Sequence, residues 1–425
     1  MSSALPSCEQ AAALVADYAA QLGRLRPPAE RVGLDLAAGR VLAQRLCADR
    51  DQPPFTRSTQ DGFACRALEA STHGFLDLVG ASRAGEAPAG PLPPGAAWEI
   101  MTGAPVPAGA DAVVKIEHVE VAGGRVRLFP PRTVSPGENI VTQGAQAREG
   151  DELLAAGTAM QFPQIALAAA CGYAAIDVFV RPRVAILTTG DELVPVKSSP
   201  APGQIRNSNA PMLAAMVSAA GGEPWVLPTA ADDAQSLDAA LAQGAEADLL
   251  LISGGVSAGK FDLVEPALAR AGARFHFTGV RIQPGKPLVF GELPCGRPSA
   301  SQARGEARAL PFFGLPGNPV SSAVTFLLFA APVLAALAGS LEPSPRFALA
   351  RLASTADKHG KKGLTRFLPA SCTFSAMAGR LPEVALVPTQ GSGDLAALAR
   401  SNCFLVVPEE DHDLEAGAIV RILLS

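Results

Sequence analysis

Short apolar runs alternate with amphipathic stretches through residues 181–340. The run at 249–252 has no polar interruption, which predicts a strand buried on both faces of a sheet. Other strand-like runs lie at 184–188, 225–228, 275–278, 288–291 and 311–315, and helical stretches lie at 210–220, 235–243, 263–271 and 320–338. Strands and helices that alternate in this way predict a doubly wound, mostly parallel α/β domain.

The pattern differs on both sides of this region. Residues 9–25 carry apolar side chains at helical spacing, and helical periodicity returns at 161–171. Between them, residues 51–149 form short alternating runs broken by Pro and Gly, which is typical of a β-rich module. Short strand-like runs from residue 343 onward predict a C-terminal β-barrel or sandwich.

We therefore predict a multidomain chain of the α/β plus β class. Residues 1–50 and 151–180 form a small helical or mixed domain, whose first helix, within 1–26, is able to pack on the α/β domain. Residues 51–150 form a β-rich domain inserted into it. The α/β domain covers 181–340, and a C-terminal β-barrel covers 341–425.

Composition narrows the class of function. The chain has 425 residues, of which 48% are hydrophobic and 18% charged, so we expect a folded globular protein. Lys and Arg number 35 against 40 for Asp and Glu, a net charge of −5. This balance argues against nucleic acid as the main partner and favours small-molecule chemistry.

The cysteines and apolar runs indicate the cellular compartment of the protein. The seven cysteines are scattered and never form a CxxC pair, which is typical of reduced thiols in a cytoplasmic protein. No secretory signal pattern opens the chain. The longest apolar run, 323–338, is interrupted by Thr325 and Pro332 and is shorter than a membrane span requires, so we expect a buried helix and no membrane partner.

Four predicted strands end in unusual sequence. These ends are Thr188-Thr-Gly-Asp-Glu192, Asp232-Asp233, the glycine loop Ser253-Gly-Gly-Val-Ser-Ala-Gly259 with Asp262, and Pro316-Gly-Asn-Pro-Val-Ser321. Ligands of open α/β sheets bind beyond the carboxyl ends of the strands, so the four ends should share one crevice. Glycine amides and hydroxyls beside carboxylates favour a phosphorylated ligand held with a divalent cation such as Mg²⁺.

Asp191, Glu192, Asp232 and Asp262 are the candidate acids, bases or ligands of a metal or its water. The alternative for Asp232 is to cap the helix that begins near residue 234, and for Asp191 to close a turn. The five histidines have no ligand spacing, so we expect no zinc site. Lys286 lies between Pro and Gly residues just before a predicted buried strand. It is either a cation held in one orientation or a solvated lysine in a turn.

Several motifs together resemble one family. They are Ile100-Met-Thr-Gly-Ala-Pro-Val-Pro107, Thr188-Thr-Gly-Asp-Glu-Leu193, the glycine loop, Pro284-Gly-Lys-Pro287, Gly314-Leu-Pro-Gly-Asn-Pro-Val-Ser321 and Gln390-Gly-Ser-Gly393. In this order they resemble the MoeA and gephyrin E-domain family of molybdopterin molybdotransferases, over nearly the whole chain. The resemblance implies a MogA-like α/β domain, an elongated four-part subunit, a homodimer, and Mg²⁺-dependent insertion of molybdate into adenylylated molybdopterin with release of AMP.

The resemblance also implies a role for individual residues. Asp61, Thr102, Glu192, Asp262 and Lys286 fall on catalytic positions, and Asp232, Asp262 and Glu192 on metal positions. Positions for molybdopterin or molybdate are Thr189, Gly190, Ser253, Gly254, Gly255, Ser257, Gly259, Pro316, Gly317, Asn318, Pro319, Ser321, Arg366 and Ser392. The glycine loop with Ser257 would hold the pterin phosphate, Lys286 with Ser321 and Ser392 would orient molybdate, and Asp61 and Thr102 would reach the crevice of the other subunit.

Five places depart from the family pattern. They are Gln60 for Met, 141–143 for an arginine-rich run, Ala145-Gln146 for Glu-Asp, Gln283 for the first lysine of Lys-Pro-Gly-Lys, and 364–369, which keeps only Arg366. These losses favour an alternative, a paralogue that binds or carries molybdopterin without turnover. A nucleotide pyrophosphatase on the same α/β domain is a second alternative. Molybdopterin adenylyltransferase and recipient molybdoenzymes are the partners that the resemblance implies.

Overall fold

A computed structural model describes residues 5–255, 263–295, 308–341, 344–356, 363–373, 381–410 and 414–425. The first helix, α1 (Cys8–Leu22), begins at a capping box, in which Gln10 N–H donates to Ser7 Oγ and Ser7 N–H donates to Gln10 Oε1. Its buried face, Ala11, Val15 and Tyr18, packs into the core of the α/β region. The helix at the start of the chain is thus part of a core that lies much further along the sequence.

The β-rich insertion lies between two strands of a smaller region. After β1 (Ala29–Gly33) and β2 (Leu46–Cys47), the chain forms β3 (Arg57–Ser58), β4 (Gly62–Cys65), α2 (Ala67–Thr72), β5 (Leu76–Ser82), β6 (Ala96–Ile100), β7 (Ala112–Lys115), β8 (Val119–Ala122), β9 (Arg125–Leu128) and β10 (Ile140–Val141). Six of these strands form one sheet in the order β7-β4-β6-β5-β9-β8, and β3 pairs with β10. Phe63, Val114 and Val126 are buried between the sheet and α2.

The chain then returns to the region that it left. It forms β11 (Glu152–Leu154), α3 (Phe162–Ala170) and β12 (Ala175–Phe179). β1 pairs with β12 and β2 with β11, both antiparallel. Leu42, Leu46, Met160 and Ile176 form the shared core. Residues on both sides of the insertion therefore build one small mixed unit.

The α/β region has its strands and helices in alternation. They are β13 (Arg183–Thr188), β14 (Leu193–Val194), β15 (Ile205–Arg206), α4 (Asn209–Ala219), β16 (Glu223–Val226), α5 (Ala234–Gly244), β17 (Leu249–Ser253), α6 (Val264–Arg270), β18 (Arg274–Thr278), β19 (Ile282–Gln283), β20 (Val289–Cys295), β21 (Arg308–Leu315), α7 (Pro319–Thr325) and α8 (Ala331–Leu337). The sheet order is β16-β13-β17-β21-β20-β18. The first three pairings are parallel and the last two antiparallel, so the sheet is parallel around the site.

Both faces of this sheet are covered. One face packs against α1, α4 and the helix at the end of the region, and the other against α5 and α6. A π-helical segment, Phe326–Ala330, joins α7 to α8 just before Pro332, whose ring nitrogen cannot donate to the preceding turn. Among the described residues this helix, Pro319–Leu337, is the one long and apolar enough to cross a membrane, and its apolar window is 78% buried, as expected of a core helix.

The C-terminal region is a closed barrel. Its elements are β22 (Phe347–Leu352), β23 (Thr365–Thr373), β24 (Glu383–Leu386), α9 (Leu395–Arg400), β25 (Cys403–Val407) and β26 (Ile419–Leu424). The order β23-β24-β22-β26-β25 closes through a pairing of β25 with β23. β19 of the α/β region adds to β23, so the two regions share a ladder. The predicted α/β plus β class, with a C-terminal barrel, is confirmed.

Candidate functional site

A cleft of about 670 Å³ opens at the carboxyl ends of β13, β17 and β21. This volume is in the range of small-molecule sites. Eleven of the predicted site residues line it: Thr189, Gly190, Glu192, Asp232, Ser253, Gly254, Gly255, Pro316, Gly317, Asn318 and Pro319. The loops that follow the parallel strands all lie at one edge of the sheet, and so residues far apart in sequence meet there. This is the edge at which the sequence predicted the crevice.

The glycines of the cleft lie where no side chain fits. Gly254 has φ +100°, and a Cβ there would lie 2.6 Å from the carbonyl oxygen of Thr189. A Cβ on Gly255, at φ +62°, would lie 2.7 Å from a methyl of Val264. Only glycine combines these dihedral angles with such close backbone approach. The described part of the glycine loop therefore folds directly over the end of β13.

A hydrogen-bond network joins three strand ends. The Asn209 amide, at the start of α4, donates from Nδ2 to Ser253 Oγ at 2.9 Å and to the Gly317 carbonyl at 2.6 Å. Asn209 Oδ1 and Thr189 Oγ1 are buried and have no hydrogen-bond partner. Buried polar atoms are nearly always paired, and so two unpaired ones in the wall of one cleft indicate a ligand or ordered water.

Two helices also begin at the cleft. Ser208 and Asn209 open α4, and Asn318 and Pro319 open the helix that runs to Leu337; all four residues line the cleft. The positive end of the helix dipole makes such starts favourable for anions. The second helix is also fixed from the barrel side, because Asn318 Nδ2 donates to Ser392 Oγ at 2.9 Å and Val320 N–H to the Ser392 carbonyl at 3.1 Å.

The carboxylates at the cleft divide into structural and free groups. Asp233 accepts from Ser236 N–H at 2.8 Å and caps α5, so the alternative that Asp232 is the cap is wrong by one residue. Asp232 remains in the cleft wall with Glu192. Its pKa is raised, first by partial desolvation of the carboxyl, although the residue as a whole is exposed, and then by the charges of Asp191 and Glu192. An N–H of Asp191 opposes part of this shift.

Three other predicted residues do not line the cleft. Lys286 is exposed in the turn before β20, and the next residue, Pro287, lines the cleft. Ser321 is 4% exposed, inside the first turn of α7. Arg366 is 5% exposed on β23, where it pairs in register with Gln283. Ser257, Gly259 and Asp262 lie outside the described residues.

Asp61 and Thr102 form a second cluster on the inserted β region. Asp61 Oδ1 accepts from Thr102 N–H at 2.6 Å and from Thr102 Oγ1 at 2.7 Å. These two bonds, the backbone one first, lower the pKa of the Asp61 carboxyl. Both residues are exposed, and neither lines the cleft of its own chain. The sequence prediction thus paired two residues that do touch, at a place separate from the cleft.

The cleft contains polar residues that we did not predict. Arg206, Asn207 and Asn209 line it, and Asn207 Nδ2 also donates to Thr188 Oγ1 at 2.8 Å. The signal was a run of four polar residues, Arg206-Asn-Ser-Asn209, immediately before a helical stretch. Its strand is only two residues long, too short for hydrophobic periodicity to reveal.

Models of known families match almost the whole chain. The MoeA N-terminal region (domain I and II) matches residues 6–172, a probable molybdopterin binding domain matches 185–336, and the MoeA C-terminal region (domain IV) matches 351–425. A molybdopterin molybdenumtransferase from Nostoc sp. is 34% identical over 93% of this chain and 88% of its own length. The chain belongs to the MoeA family.

Other MoeA relatives agree. The molybdopterin molybdenumtransferase of Bacillus subtilis is 34% identical over 93% of this chain and 89% of its own. The crystal structure of the molybdopterin biosynthesis moeA protein from Pyrococcus horikoshii OT3 matches 99% of this chain and 100% of its own, with 27% identity and a TM-score of 0.77. The resemblance predicted from the motifs is confirmed.

The departures from the MoeA pattern lie outside the cleft wall. Gln143 Nε2 donates to Asp51 Oδ2 at 3.1 Å, near the base of the inserted region. Gln146 is exposed on the same segment, and its backbone N–H donates to the Gln52 carbonyl at 2.8 Å. Gln283 is exposed on β19. None of these three glutamines lines the described wall of the cleft.

Proposed function

We propose that this MoeA-family chain is a cytoplasmic molybdopterin molybdenumtransferase that inserts molybdate into adenylylated molybdopterin and releases AMP. The observation that carries the proposal is the cleft, with two helix starts, glycines that admit no side chain, and two unpaired buried polar atoms. It lies in the region matched by a probable molybdopterin binding domain. A molybdopterin adenylyltransferase would supply the substrate, and molybdoenzymes would receive the product.

Uncharged groups of the cleft wall would contribute to binding of the substrate. The helix starts at Asn209 and Pro319 favour phosphoryl oxygens through the positive ends of their dipoles, because both helices begin at the cleft wall. Thr189 and Asn209 add a hydroxyl and an amide to the cleft lining. The orientation of the Asn209 amide is set by the Gly317 carbonyl, which must face a donor. The wall therefore offers groups suited to a phosphorylated, hydrogen-bonding heterocycle.

The acidic side chains at the cleft fit a magnesium ion held jointly with substrate phosphates. Among the described residues no three His, Cys, Asp or Glu side chains converge into a complete metal site. Mg²⁺ needs only one or two protein carboxylates when phosphates and water complete its shell. Glu192 and Asp232 would hold it, and its charge would offset the partial desolvation of the Asp232 carboxyl and the repulsion from Asp191 and Glu192, which raise the pKa of Asp232. When bound, it neutralises charge on the phosphate oxygens.

The catalytic groups on the inserted region would come from a second copy. Asp61 is held in one orientation by its two bonds from Thr102, and so its carboxylate is preorganised. Because neither residue lines the cleft of its own chain, we propose a homodimer in which each inserted region faces the cleft of the partner. Lys286 and the barrel residue Ser392, both beside the cleft, would assist in orienting molybdate.

One experiment distinguishes this enzyme from a carrier. Adenylylated molybdopterin is incubated with the purified chain, Mg²⁺ and molybdate, and AMP release is measured. We expect slow release that requires both additions, because preorganised charges such as those replaced by Gln146 and Gln283 are each worth on the order of 10²–10³ in rate. The double variant Gln146→Asp with Gln283→Lys should be faster.

The carrier alternative makes the opposite prediction. It is favoured by the same two glutamines, which stand where the family has a carboxylate and an ammonium. Tight binding of molybdopterin without AMP release, in both wild type and the double variant, would establish the carrier. Asp232→Asn serves as the control for the assay, because it should reduce release in either background.

A further inference from the structure

Arg206 lies on the lip of the cleft, on a short ladder that also carries Glu192. β14 and β15 pair in parallel, with Leu193 opposite Ile205 and Val194 opposite Arg206. Ile205 N–H donates to the Glu192 carbonyl at 2.8 Å, and Asn207 N–H to the Val194 carbonyl at 2.9 Å. Backbone bonds on both sides therefore set the position of the Arg206 Cα relative to the cleft.

The guanidinium of Arg206 is oriented but not neutralised. Its Nε donates to the Ser198 carbonyl at 3.1 Å. Its two terminal nitrogens have no partner among the described residues, and it forms no ion pair with a described carboxylate. A fixed Nε with two unpaired terminal nitrogens presents a planar pair of donors to a ligand.

The remaining charges of the cleft make this cation distinctive. The other charged side chains in the described lining are Glu192 and Asp232, both acidic. Lys286 is near, but only its neighbour Pro287 lines the wall. An anionic ligand that enters would thus meet two carboxylates and a single lining cation. Without Arg206, the described wall would hold phosphoryl groups through uncharged donors alone.

We propose that Arg206 is a substrate-binding residue whose two terminal guanidinium nitrogens donate to phosphoryl oxygens of the substrate. The fork of an arginine matches two oxygens of one phosphate, which adds orientation to charge. This inference rests on the proposed function, because it assigns a residue to the phosphates of that substrate. The phosphate is either the one on the adenylate side or the one on the pterin side.

Binding by the full-length protein tests the assignment. Calorimetric affinities for AMP, adenosine and molybdopterin are compared among wild type, Arg206→Gln, Arg206→Lys and Lys197→Gln. Lys197 is an exposed residue of the same loop outside the cleft lining, so its variant makes the same change in net charge. A charge-assisted bond implies a loss on the order of 10- to 100-fold in Arg206→Gln, with partial rescue by lysine.

Comparison of the probe ligands shows which of the two phosphates Arg206 contacts. Loss confined to AMP places Arg206 on the adenylate phosphate, and loss confined to molybdopterin places it on the pterin phosphate. Adenosine binding should not change in any variant. The slope of affinity against salt should be smaller in Arg206→Gln than in Lys197→Gln. Equal affinities for both phosphorylated probes in wild type and Arg206→Gln, or no binding of either by wild type, would overturn the assignment.

A turnover measurement keeps this test apart from the proposed function. In Arg206→Gln we expect KM for adenylylated molybdopterin to rise more than kcat falls, since a phosphate contact stabilises substrate and transition state alike. Wild-type AMP release with unchanged kcat/KM in Arg206→Gln would refute the role of Arg206 alone. Phosphate binding that depends on Arg206, without AMP release by wild type, would refute the transferase and leave Arg206 assigned.

Discussion

The cleft of the α/β region and the Asp61–Thr102 cluster of the inserted region differ in how their polar groups are satisfied. In the cleft wall, Thr189 Oγ1 and Asn209 Oδ1 are buried without partners. On the inserted region, the carboxylate of Asp61, the exposed residue just before β4, accepts two bonds from Thr102. The cleft wall thus holds polar atoms without a protein partner, whereas the carboxylate of the inserted region is held by two bonds.

The difference shows a division of labour. A wall of glycines, hydroxyls and helix starts, with Glu192, Asp232 and Arg206 as its charged side chains, suits binding of a phosphorylated ligand. A carboxylate whose pKa is lowered stays ionised and rigid, which suits a group that acts on a reaction brought to it. Asp61 and Thr102 do not line the cleft of their own chain, and this separation underlies our proposal that two copies of the chain complete each site.

Subunit mixing gives the largest expected effect. Asp61→Asn and Asp232→Asn should each reduce AMP release by on the order of 10²–10³. If the sites are shared, mixed subunits of the two variants should recover about a quarter of wild-type activity, because half of the dimers then hold one site with neither change. Asp77→Asn, an exposed carboxylate of the same inserted region, is the control. A mixture as inactive as its parents would place both residues in one chain's site or in none.

The next largest effect concerns the support of Asp61. A Cβ on Gly62 would lie 1.9 Å from the Val114 carbonyl oxygen, so Gly62→Ala must separate β4 from β7, at a cost of about 1–3 kcal/mol. Urea unfolding is followed through Trp98 in a Trp225→Phe background, since these are the only two tryptophans. Gly74→Ala, with nothing within 4 Å of its Cβ, should be neutral. Equal midpoints for both variants would contradict the packing.

A smaller effect is expected from pH at the cleft. The raised pKa of Asp232 means that its carboxylate protonates at higher pH than an ordinary aspartate, so cation affinity should fall as pH falls through that value. Asp191→Asn removes a charge that raises this pKa and keeps the opposing N–H, and so it should move the fall to lower pH. Binding of Mn²⁺, followed by water proton relaxation across the acidic range, measures both. Loss of affinity at the same pH in wild type and Asp191→Asn would contradict the coupling.

The smallest effect is at the inserted region. Thr102→Val removes the hydroxyl bond to Asp61 and retains the N–H bond, which is the larger cause of the lowered pKa. The pKa of Asp61 should therefore rise only part of the way to its ordinary value. Because that pKa is lowered, the stabilising contribution of these bonds is present above the ordinary aspartate pKa and is lost as pH falls through the lowered one. Carboxyl NMR titration of wild type and Thr102→Val tests the shift; an unchanged value would assign it to the N–H alone.

The sequence determined the elements that hydrophobic periodicity records. Buried strands such as β13 and β17 were predicted within a residue at either end, because burial on both faces leaves an apolar run that no loop imitates. The glycine and proline motifs after these strands identified the loops of the cleft and the family. Such signals lie within a single segment, and they can be recognised without knowing which residues pack against that segment.

Tertiary structure decided what depends on distant partners. Asp233 rather than Asp232 caps α5. A shift of one residue in the start of this helix decides which of the two carboxylates remains in the cleft wall. Arg206 and Asn209 reach the cleft only because β15 adds to β14 and α4 begins beside β17. Asp61 and Thr102 meet across 41 residues through the pairing of β4 with β6. Non-local pairings fix these positions, and no periodicity along a single segment encodes them.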